Sequence, residues 1–315
     1  MRIGVQGRLV IPQPVDYGVV RTLCTALCGR YTVLRPAVIG HSVLGREIPA
    51  LMLSAGDGGE AVLMAAAFHG QEWLTALCAL RLCEELCAAQ RAHTTLCGVP
   101  IHKALRDRQI WFVPLANPDG VEIARYGSSA AGTYAASAAA AGADVPGVWQ
   151  TNARGVDINS NFNAGWKEMQ ALAEKSGKNY PGSRKYPGPS PESEPETRAL
   201  ADLCRRHPFR HVVALHSQGE EIYWSYGPHT PPRSRMMARV LSVASGYALA
   251  EPSETAAHGG LKDWFIHHYH RPGFTLELGR GCNPLPVKEF DAIYEKAREM
   301  LVLSFPARVF LRPCL

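Results

Sequence analysis

The stretch AVLMAAAFHGQEW, residues 61–73, places a strand, a turn and the start of a helix within thirteen positions. Its apolar residues run without a break to Phe68, as in a buried strand. His69 and Glu72 follow at the turn, and residues 71–90 then have the length and composition of a helix. Sites of open α/β sheets lie where the carboxyl end of a strand meets a helix. The stretch therefore predicts an α/β fold with a functional site at this junction.

Strands and helices alternate along the rest of the chain, which favours helices layered on a mostly parallel sheet. Ser193 and Glu196 have the spacing of a capping box that would begin one of these helices. No internal repeat and no linker between two cores is visible, so we expect a single domain over residues 1–315. Further strands are predicted at 48–56, 110–115, 211–217, 221–226 and 273–279, and helices at 15–29, 195–207, 231–249, 260–270 and 287–302.

Two segments lie outside this alternation. Residues 1–37 are expected to form an N-terminal lead-in that contains the first helix. Residues 128–148 are rich in Ala, Ser and Gly, and we expect them to form a low-complexity insertion at the surface, partly helical and mobile.

Composition limits the possible partners. Of the 315 residues, 46% are hydrophobic and 19% are charged, which is typical of a globular protein with a substantial core. The net charge of +5 is mild and the Lys and Arg residues are scattered, so we expect no nucleic acid partner. No run approaches the roughly 18 apolar residues of a membrane span. No targeting segment is visible, so we expect a cytoplasmic protein without a membrane partner. The sequence does not indicate an oligomeric state.

The nine cysteines form no CxxC pair. Cys24 and Cys28 are four residues apart, as are Cys83 and Cys87, and this spacing suits small apolar side chains on helix faces. We expect reduced and mostly buried thiols, with disulfides as the alternative.

Three residues have the chemistry of metal ligands. A neutral imidazole nitrogen and a carboxylate oxygen are both good ligands for zinc, and a catalytic zinc needs three protein ligands and one open position. His69 and Glu72 are close enough across the turn to converge on one ion. His216 ends another apolar strand, VVALHSQG, at a similar junction. The alternative is that each histidine satisfies a loop carbonyl, as is common at turns.

Glu277 is the fourth candidate, because it lies within the β-run GFTLELG. Burying an unpaired carboxylate is costly, so such a residue usually faces a cleft or a partner. Near a metal-activated water, a glutamate can accept a proton and then deliver it. A salt bridge with Arg280 is the alternative.

These motifs occur in the order found in a known family. HxxE after a strand, GVDIN followed by NF, the strand-end His216 and the late TLEL resemble the zinc carboxypeptidase family, from about residue 38 to residue 302. Within that family the chain looks most similar to the γ-D-glutamyl-diamino acid peptidases, which cut bacterial cell-wall peptides. The stretches NARGVDIN, HSQGEEIYW, GGLKDWF and RPGFTLELGRGCNPLP carry this resemblance.

The resemblance implies a three-layer α/β/α sandwich with an eight-stranded mixed sheet and one catalytic zinc per chain. It matches His69, Glu72 and His216 to the zinc ligands and Glu277 to the catalytic acid/base. It also matches Asn159 to an asparagine that holds the terminal carboxylate of the substrate, and it makes Gln218 a candidate for substrate binding. Asp157, two residues before Asn159, has the chemistry to accept a hydrogen bond from His69 and so fix its ring.

Four positions depart from the family or are loosely matched. Ser160 stands where ordinary carboxypeptidases have the arginine that clamps a terminal carboxylate, and Thr255 stands where they have a tyrosine. Arg154 is the nearest candidate for the residue that stabilises the oxyanion, although it can equally be a surface residue. Lys262 falls where the family lines the pocket for the residue after the cut, and a cation there suits a side chain ending in a carboxylate. A solvated lysine at a helix start is the alternative.

The resulting prediction is a zinc metallopeptidase that hydrolyses the γ-D-glutamyl–diamino acid (diaminopimelate) bond of cell-wall peptides. One alternative is a zinc carboxypeptidase acting on ordinary peptides. Others are a related deacylase, and an inactive module that binds wall peptides.

Overall fold

An eight-stranded mixed sheet organises the protein. The computed structural model describes residues 7–56, 59–106, 108–252 and 257–305. The strands of this sheet are β1 (Leu34–His41), β2 (Glu47–Ser54), β3 (Glu60–Ala66), β6 (Arg108–Val113), β7 (Phe209–His216), β8 (Glu221–Tyr223), β9 (Ala248–Leu249) and β10 (Gly273–Glu277), while β4 (Thr95–Leu96) and β5 (Val99–Pro100) form a separate pair. Their spatial order is β1-β2-β6-β3-β7-β10-β8-β9.

The four central strands all run in the same direction. β6, β3, β7 and β10 pair parallel to one another, whereas β2 and β8 flank them antiparallel. Because the carboxyl ends of parallel strands meet at one edge of a sheet, the ends of β3, β7 and β10 are brought together. The register places Glu277 directly beside His216.

Helices cover both faces of the sheet. Successive residues of β3 pack alternately into two apolar clusters, one on each face of the sheet. Val62, Met64 and Ala66 belong to one cluster, and Ala61, Leu63 and Ala65 belong to the other. This is the two-residue period of a strand buried on both faces. The sheet is therefore the middle layer of an α/β/α sandwich, as predicted. The helices are α1 (Tyr17–Arg30), α2 (Leu74–Ala92), α3 (Ile101–Ala104), α4 (Pro118–Tyr126), α5 (Ala135–Ala140), α6 (Trp166–Lys175), α7 (Pro195–Arg206), α8 (Pro232–Ser245), α9 (Leu261–Tyr269) and α10 (Phe290–Leu303).

Strand β1 lies partly inside the segment expected to be a helical lead-in. Its burial alternates irregularly between exposed and buried positions, and it contains Pro36 at the edge of the sheet. An edge strand of this kind lacks the continuous apolar run that reveals a central strand, so it was not predicted from the sequence.

Residues 128–148 form a 3₁₀ turn at Ser128–Tyr134 and then α5. Ala131, Ala138 and Ala143 are buried in a small third cluster with Ile123 and Trp149. The small side chains of the insertion therefore allow close packing against α4.

The expected capping box at Ser193 is wrong. Helix α7 begins one residue later, with Glu194 at its N-cap and Pro195 in the first turn. The hydroxyl of Ser193 instead donates to Glu194 Oε1 at 2.9 Å and accepts from Asn161. Proline suits the first helical position because its fixed φ is already helical.

Among the described residues, no helix is both long enough and apolar enough to cross a membrane. The expected cytoplasmic location stays a prediction.

Candidate metal centre

The turn that carries the first two ligands is fixed by a close backbone contact. Residues Gly70–Glu72 form one turn of 3₁₀ helix directly after His69. A Cβ atom at Gly70 would lie 2.1 Å from the carbonyl oxygen of Gly120, so only glycine fits against the first turn of α4. The amide of Gly70 donates to the carbonyl of Gln150 at 2.9 Å. These contacts hold His69 and Glu72 at the carboxyl end of β3.

His69, Glu72 and His216 form a compact donor cluster. Nδ1 of His69 lies 2.7 Å from Glu72 Oε1, and Nδ1 of His216 lies 3.0 Å from Glu72 Oε2. One donor atom from each residue lies within 4.8 Å of the others. The side chains of Glu72 and His216 are 5% and 2% exposed, whereas that of His69 is 16% exposed. The structure thus brings together the three residues predicted as ligands.

Neighbouring groups orient the cluster. Nε2 of His69 lies 3.2 Å from Asp157 Oδ1, the contact expected from the sequence. The backbone N–H of Ser217 donates to Glu72 Oε2 at 3.3 Å, and the ring of Phe68 stacks on His216 with centroids 4.9 Å apart. Such surrounding contacts fix ring orientation and increase the basicity of a ligand.

The electrostatics of the cluster favour a cation. Burial alone would lower the pKa of His69, but the carboxylates of Glu72 and Asp157 outweigh it and hold the pKa well above its usual range. Burial opposes ionisation of Glu72, yet His69 and His216 lower its pKa to about 2. The carboxylates thus stabilise positive charge here.

The donor set fits zinc. Two imidazole nitrogens and one carboxylate oxygen are the ligands of a common class of catalytic zinc site, which leaves one position open. The three donors converge from two strand ends, and one donor atom of each lies within 4.8 Å of the others. His69, Glu72 and His216 are therefore residues that could hold the metal ion.

Glu277 lies beside this cluster, at the end of β10 and opposite His216 in the register. Burial raises the pKa of Glu277 well above its usual range, and the nearby carboxylates of Glu72 and Glu221 add to the effect. A carboxyl group beside a metal site can take part in proton transfer.

Asn159, Ser160 and Lys262 are brought together by a close backbone contact. Gly259, with φ +78°, lies so near Ser160 that a Cβ atom would be 2.6 Å from the Ser160 carbonyl oxygen. Oδ1 of Asn159 accepts from the amide of Leu261 at 3.4 Å, and the amide of Asn159 donates to Asp157 Oδ1 at 3.0 Å. Through Asp157, the start of α9 is therefore connected to His69.

Lys262 is not a solvated lysine. Its side chain is 4% exposed, and its ammonium donates to the carbonyl of Ser225 at 2.7 Å and to the carboxylate of Asp263. The ammonium also lies 5.7 Å from the centroid of the Tyr226 ring. Burial raises the pKa of Asp263, while Lys262 acts to lower it. The alternative of an exposed helix-start lysine is therefore wrong.

The structure does not place the remaining predicted site residues, Arg154, Gln218 and Thr255, in contact with the donor cluster among the described residues. Arg154 is exposed, and its side chain contacts Tyr134 at 3.4 Å and Glu194 at 3.5 Å, both outside the donor cluster. Gln218 is exposed and follows a cis peptide bond after Ser217. Thr255 lies outside the described residues. Their expected roles stay predictions.

Sequence reasoning missed Glu221. It pairs with Glu277 across β8 and β10, and its carboxylate accepts from the hydroxyl of Tyr223 at 2.7 Å. The carboxylate of Glu221 helps to raise the pKa of Glu277, because the two acidic side chains lie directly opposite each other. The motif HSQGEEIYW contained this glutamate, but only the strand register shows that it faces Glu277.

Comparison with known proteins agrees with this site. The model of the family described as zinc carboxypeptidase, peptidase M14, matches residues 24–300. Gamma-D-glutamyl-L-diamino acid endopeptidase 1 from Lysinibacillus sphaericus is 36% identical over 288 residues, which cover 90% of this chain and 70% of the relative. Human carboxypeptidase B is 26% identical over 290 residues, which cover 83% of this chain and 63% of the relative.

A solved structure shows the same fold. Thrombin activatable fibrinolysis inhibitor matches with a TM-score of 0.73 at 20% identity, over 96% of this chain and 76% of that chain. The family match, the fold and the His-Glu-His cluster agree with one another. This chain therefore belongs to the zinc carboxypeptidase family and is a zinc metallopeptidase.

Proposed function

We propose that this metallopeptidase hydrolyses the γ-D-glutamyl–diamino acid bond of bacterial cell-wall peptides, with diaminopimelate as the diamino acid. The observation that carries the proposal is the 36% identity, over 90% of the chain, to a relative named for that bond. The motif stretches that resemble this branch surround the donor cluster and the start of α9, where substrate is expected to bind.

The residues divide the reaction between them. Zinc, when held by His69, Glu72 and His216, supplies a Lewis acid for the scissile carbonyl and for water. Glu277 accepts the proton of the attacking water and then delivers it to the leaving amine. Its position beside His216 in the register supports this role, and its raised pKa favours the protonated form that delivers the proton. Asp157 keeps the ring of His69 oriented.

Lys262 is proposed to contact the carboxylate of the diaminopimelate side chain. A lysine ammonium has three donors. Ser225 and Asp263 accept from two of them, which leaves one N–H for a ligand. Asp263 already balances the charge of Lys262. The hydrogen bond from Lys262 would therefore orient the substrate carboxylate more than it would attract it by net charge. Asn159, Ser160, Thr255 and Gln218 are proposed to complete the substrate site, and Arg154 to stabilise the oxyanion.

The test is incubation of the zinc-loaded protein with L-Ala-γ-D-Glu-diaminopimelate, followed by mass analysis of the products. Release of free diaminopimelate together with L-Ala-D-Glu is expected. A matched peptide with an α-linked D-Glu should stay intact, because the position of the scissile carbonyl changes. Cleavage of the α-linked peptide alone would contradict the proposal.

A second candidate is a carboxypeptidase acting on ordinary peptides, which the similarity to human carboxypeptidase B favours. Ser160 weakens it, since a serine cannot give the bidentate charged grip of the arginine that the resemblance leads one to expect. A panel of peptides with free C-terminal Lys, Arg, Leu and Phe separates the two functions. Turnover of these peptides above that of the γ-linked substrate would favour the carboxypeptidase.

A further inference from the structure

A charged cavity lies at the end of the sheet opposite the cluster of His69, Glu72 and His216. It has a volume of about 560 Å³ and is lined by Gly59, Glu60, Pro208, Arg210, Arg233 and Arg271. Glu60 is the first residue of β3 and Arg210 is the second residue of β7. A strand of seven residues spans about 20 Å, so this cavity is far from the donor cluster at the other end of β3.

Positive charge exceeds negative charge in this arginine cavity. Three guanidinium groups line it against the one carboxylate of Glu60, which is paired with Arg210 at 2.5 Å. Arg108 is the cross-strand neighbour of Glu60 and adds a fourth positive charge close by. This comparison covers the described residues, and the neighbouring Asp57 and Asp107 lie outside them.

Two of the three lining arginines have partners within the protein. Arg210 is paired with Glu60, and Arg271 donates to the carbonyl of Phe209 at 2.7 Å. Arg233 has no hydrogen bond or ion pair among the described residues. Burial lowers the pKa of Arg233, and the charges of Arg210 and Arg271 lower it further, while the carboxylate of Glu60 acts in the opposite direction. The three arginines thus repel one another, and a bound anion would reduce this repulsion.

The backbone adds to the positive potential. Arg233 is the second residue of α8, a helix of 14 residues, so the N-terminal end of the helix is at the cavity. The N-terminal end of a helix carries partial positive charge, which favours an anion. Guanidinium groups present several donors in a plane and match the oxygen atoms of a phosphate group.

We propose that Arg210, Arg233 and Arg271 form a binding site for a phosphate group, separate from the peptidase centre. The ligand is either free inorganic phosphate or the phosphoryl group of a larger molecule, since the same donors recognise both. The cavity is large enough for more than one phosphate group. The proposal does not depend on the identity of the peptide substrate.

Titration calorimetry with inorganic phosphate, on the zinc-loaded protein at a constant ionic strength set by chloride, tests the site. Arg233→Met removes the unpaired guanidinium without breaking a contact between described residues. It should weaken phosphate binding roughly 10- to 100-fold, as expected for a lost charge-assisted hydrogen bond. Arg233→Met/Arg271→Met should abolish measurable binding.

The matched control is Arg235→Met/Arg239→Met, which removes two charges from the same helix but outside the arginine cavity. It should leave phosphate affinity within about twofold, since exposed charges act weakly at a distance in salt. Peptidase turnover and zinc content should be unchanged in all three variants. Equal binding by the native protein and Arg233→Met, or no phosphate binding by the native protein, would overturn the proposal.

A phosphate monoester distinguishes the two sources of ligand. If glucose 6-phosphate binds more tightly than inorganic phosphate, and Arg233→Met removes the difference, the site serves a phosphorylated molecule. Tighter binding of inorganic phosphate, with the same dependence on Arg233, assigns the site to the free anion.

Discussion

The protein buries charged side chains in two neighbouring places and balances their charge in different ways. At the carboxyl ends of β3 and β7, His69, Glu72 and His216 offer three donors that satisfy one another only in part. At the start of α9, Lys262 and Asp263 form a complete pair of opposite charges. The first arrangement offers donors that an external cation can share, whereas the second contains its own cation. Burial of charge therefore marks a metal site only where the protein supplies no counter-ion of its own.

The sharpest test of this difference is removal of a zinc ligand. His216→Ala leaves two donors, so we expect zinc content to fall from one per chain towards zero. Turnover should fall by more than the ~10⁴-fold expected for loss of a general base, because the metal is lost as well. Elemental analysis and turnover measure the two effects. His41→Ala, which changes an exposed histidine at the end of β1, is the control and should keep both. Stoichiometric zinc in His216→Ala would show that the ligand set is wrong.

Glu277 tests whether the carboxylate beside the cluster is a catalyst and not a ligand. Glu277→Gln keeps the shape and removes the proton acceptor, so turnover should fall by ~10²–10⁴ at unchanged zinc content. Steady-state kinetics and elemental analysis on the same preparation measure both. Native turnover by a zinc-loaded Glu277→Gln protein would exclude the proposed role.

The Lys262–Asp263 pair, the second buried arrangement, can be tested by removing the charge of Lys262. Lys262→Met should keep zinc and lower kcat/KM on the diaminopimelate peptide about 10- to 150-fold, the value of a lost charged hydrogen bond. A peptide with lysine in that position lacks the extra carboxylate and should be affected little.

Because Lys262→Met leaves Asp263 buried without its partner, the stability of the variant must be controlled. Lys262→Met/Asp263→Asn removes both charges and should restore stability while keeping the loss of selectivity. Equal losses on both peptides would mean that Lys262 is structural.

Glu196 provides a third case, because it is a buried carboxylate that forms no salt bridge among the described residues. It accepts from the amide of Val43 at 3.0 Å and from Asn152 at 3.2 Å. Burial raises its pKa to about 7 from an ordinary 4.5. The folded state then holds the proton more tightly than the unfolded state between these values.

We therefore expect the free energy of unfolding to fall as pH rises from about 4.5 to about 7, by on the order of 3 kcal/mol, and to level off above. Glu196→Gln lacks this titration, so its unfolding curve, measured by denaturant at pH 5, 6, 7 and 8, should have a flatter pH dependence. Parallel pH profiles for the two proteins would contradict the assignment.

The smallest effect is expected from the cysteines. Burial raises the pKa of Cys24 and Cys78 to about 12, which keeps these thiols protonated and unreactive. Cys282 is exposed, and we expect alkylation of the native protein to modify it first. Turnover should stay within about twofold, because reactivity of a thiol does not by itself imply a catalytic role. Rapid inactivation that substrate prevents would point to a thiol in the site.

The residues that could be predicted from sequence share one property. His69, Glu72, His216 and Glu277 each interrupt or end an apolar run, so the position of each is set locally, by a strand end or a strand interior. Parallel strands then bring such ends together whatever the sequence of the intervening helices. The central strands and the layered fold could also be predicted from local sequence, because a strand that is buried on both faces has an unbroken apolar run.

Other features depended on contacts between distant residues. The strand β1 at the edge has no periodic signal, and the first turn of α7 is set by Pro195 in place of the expected serine cap. Arg154 reads as a site residue in sequence, yet it contacts the insertion and Glu194.

By itself, the sequence determined the sandwich and predicted the metal ligands and the acid/base residue, because these follow from local patterns and from a motif order shared with a family. Only the tertiary structure decided that Lys262 is paired with Asp263 and that Glu221 faces Glu277. It also brought Glu60, Arg210 and Arg271 into one cavity from three separate parts of the chain. The physical reason is that charge pairing depends on distances of a few ångströms across strands and helix starts. Such distances are fixed by register and packing, which no local pattern of residues contains.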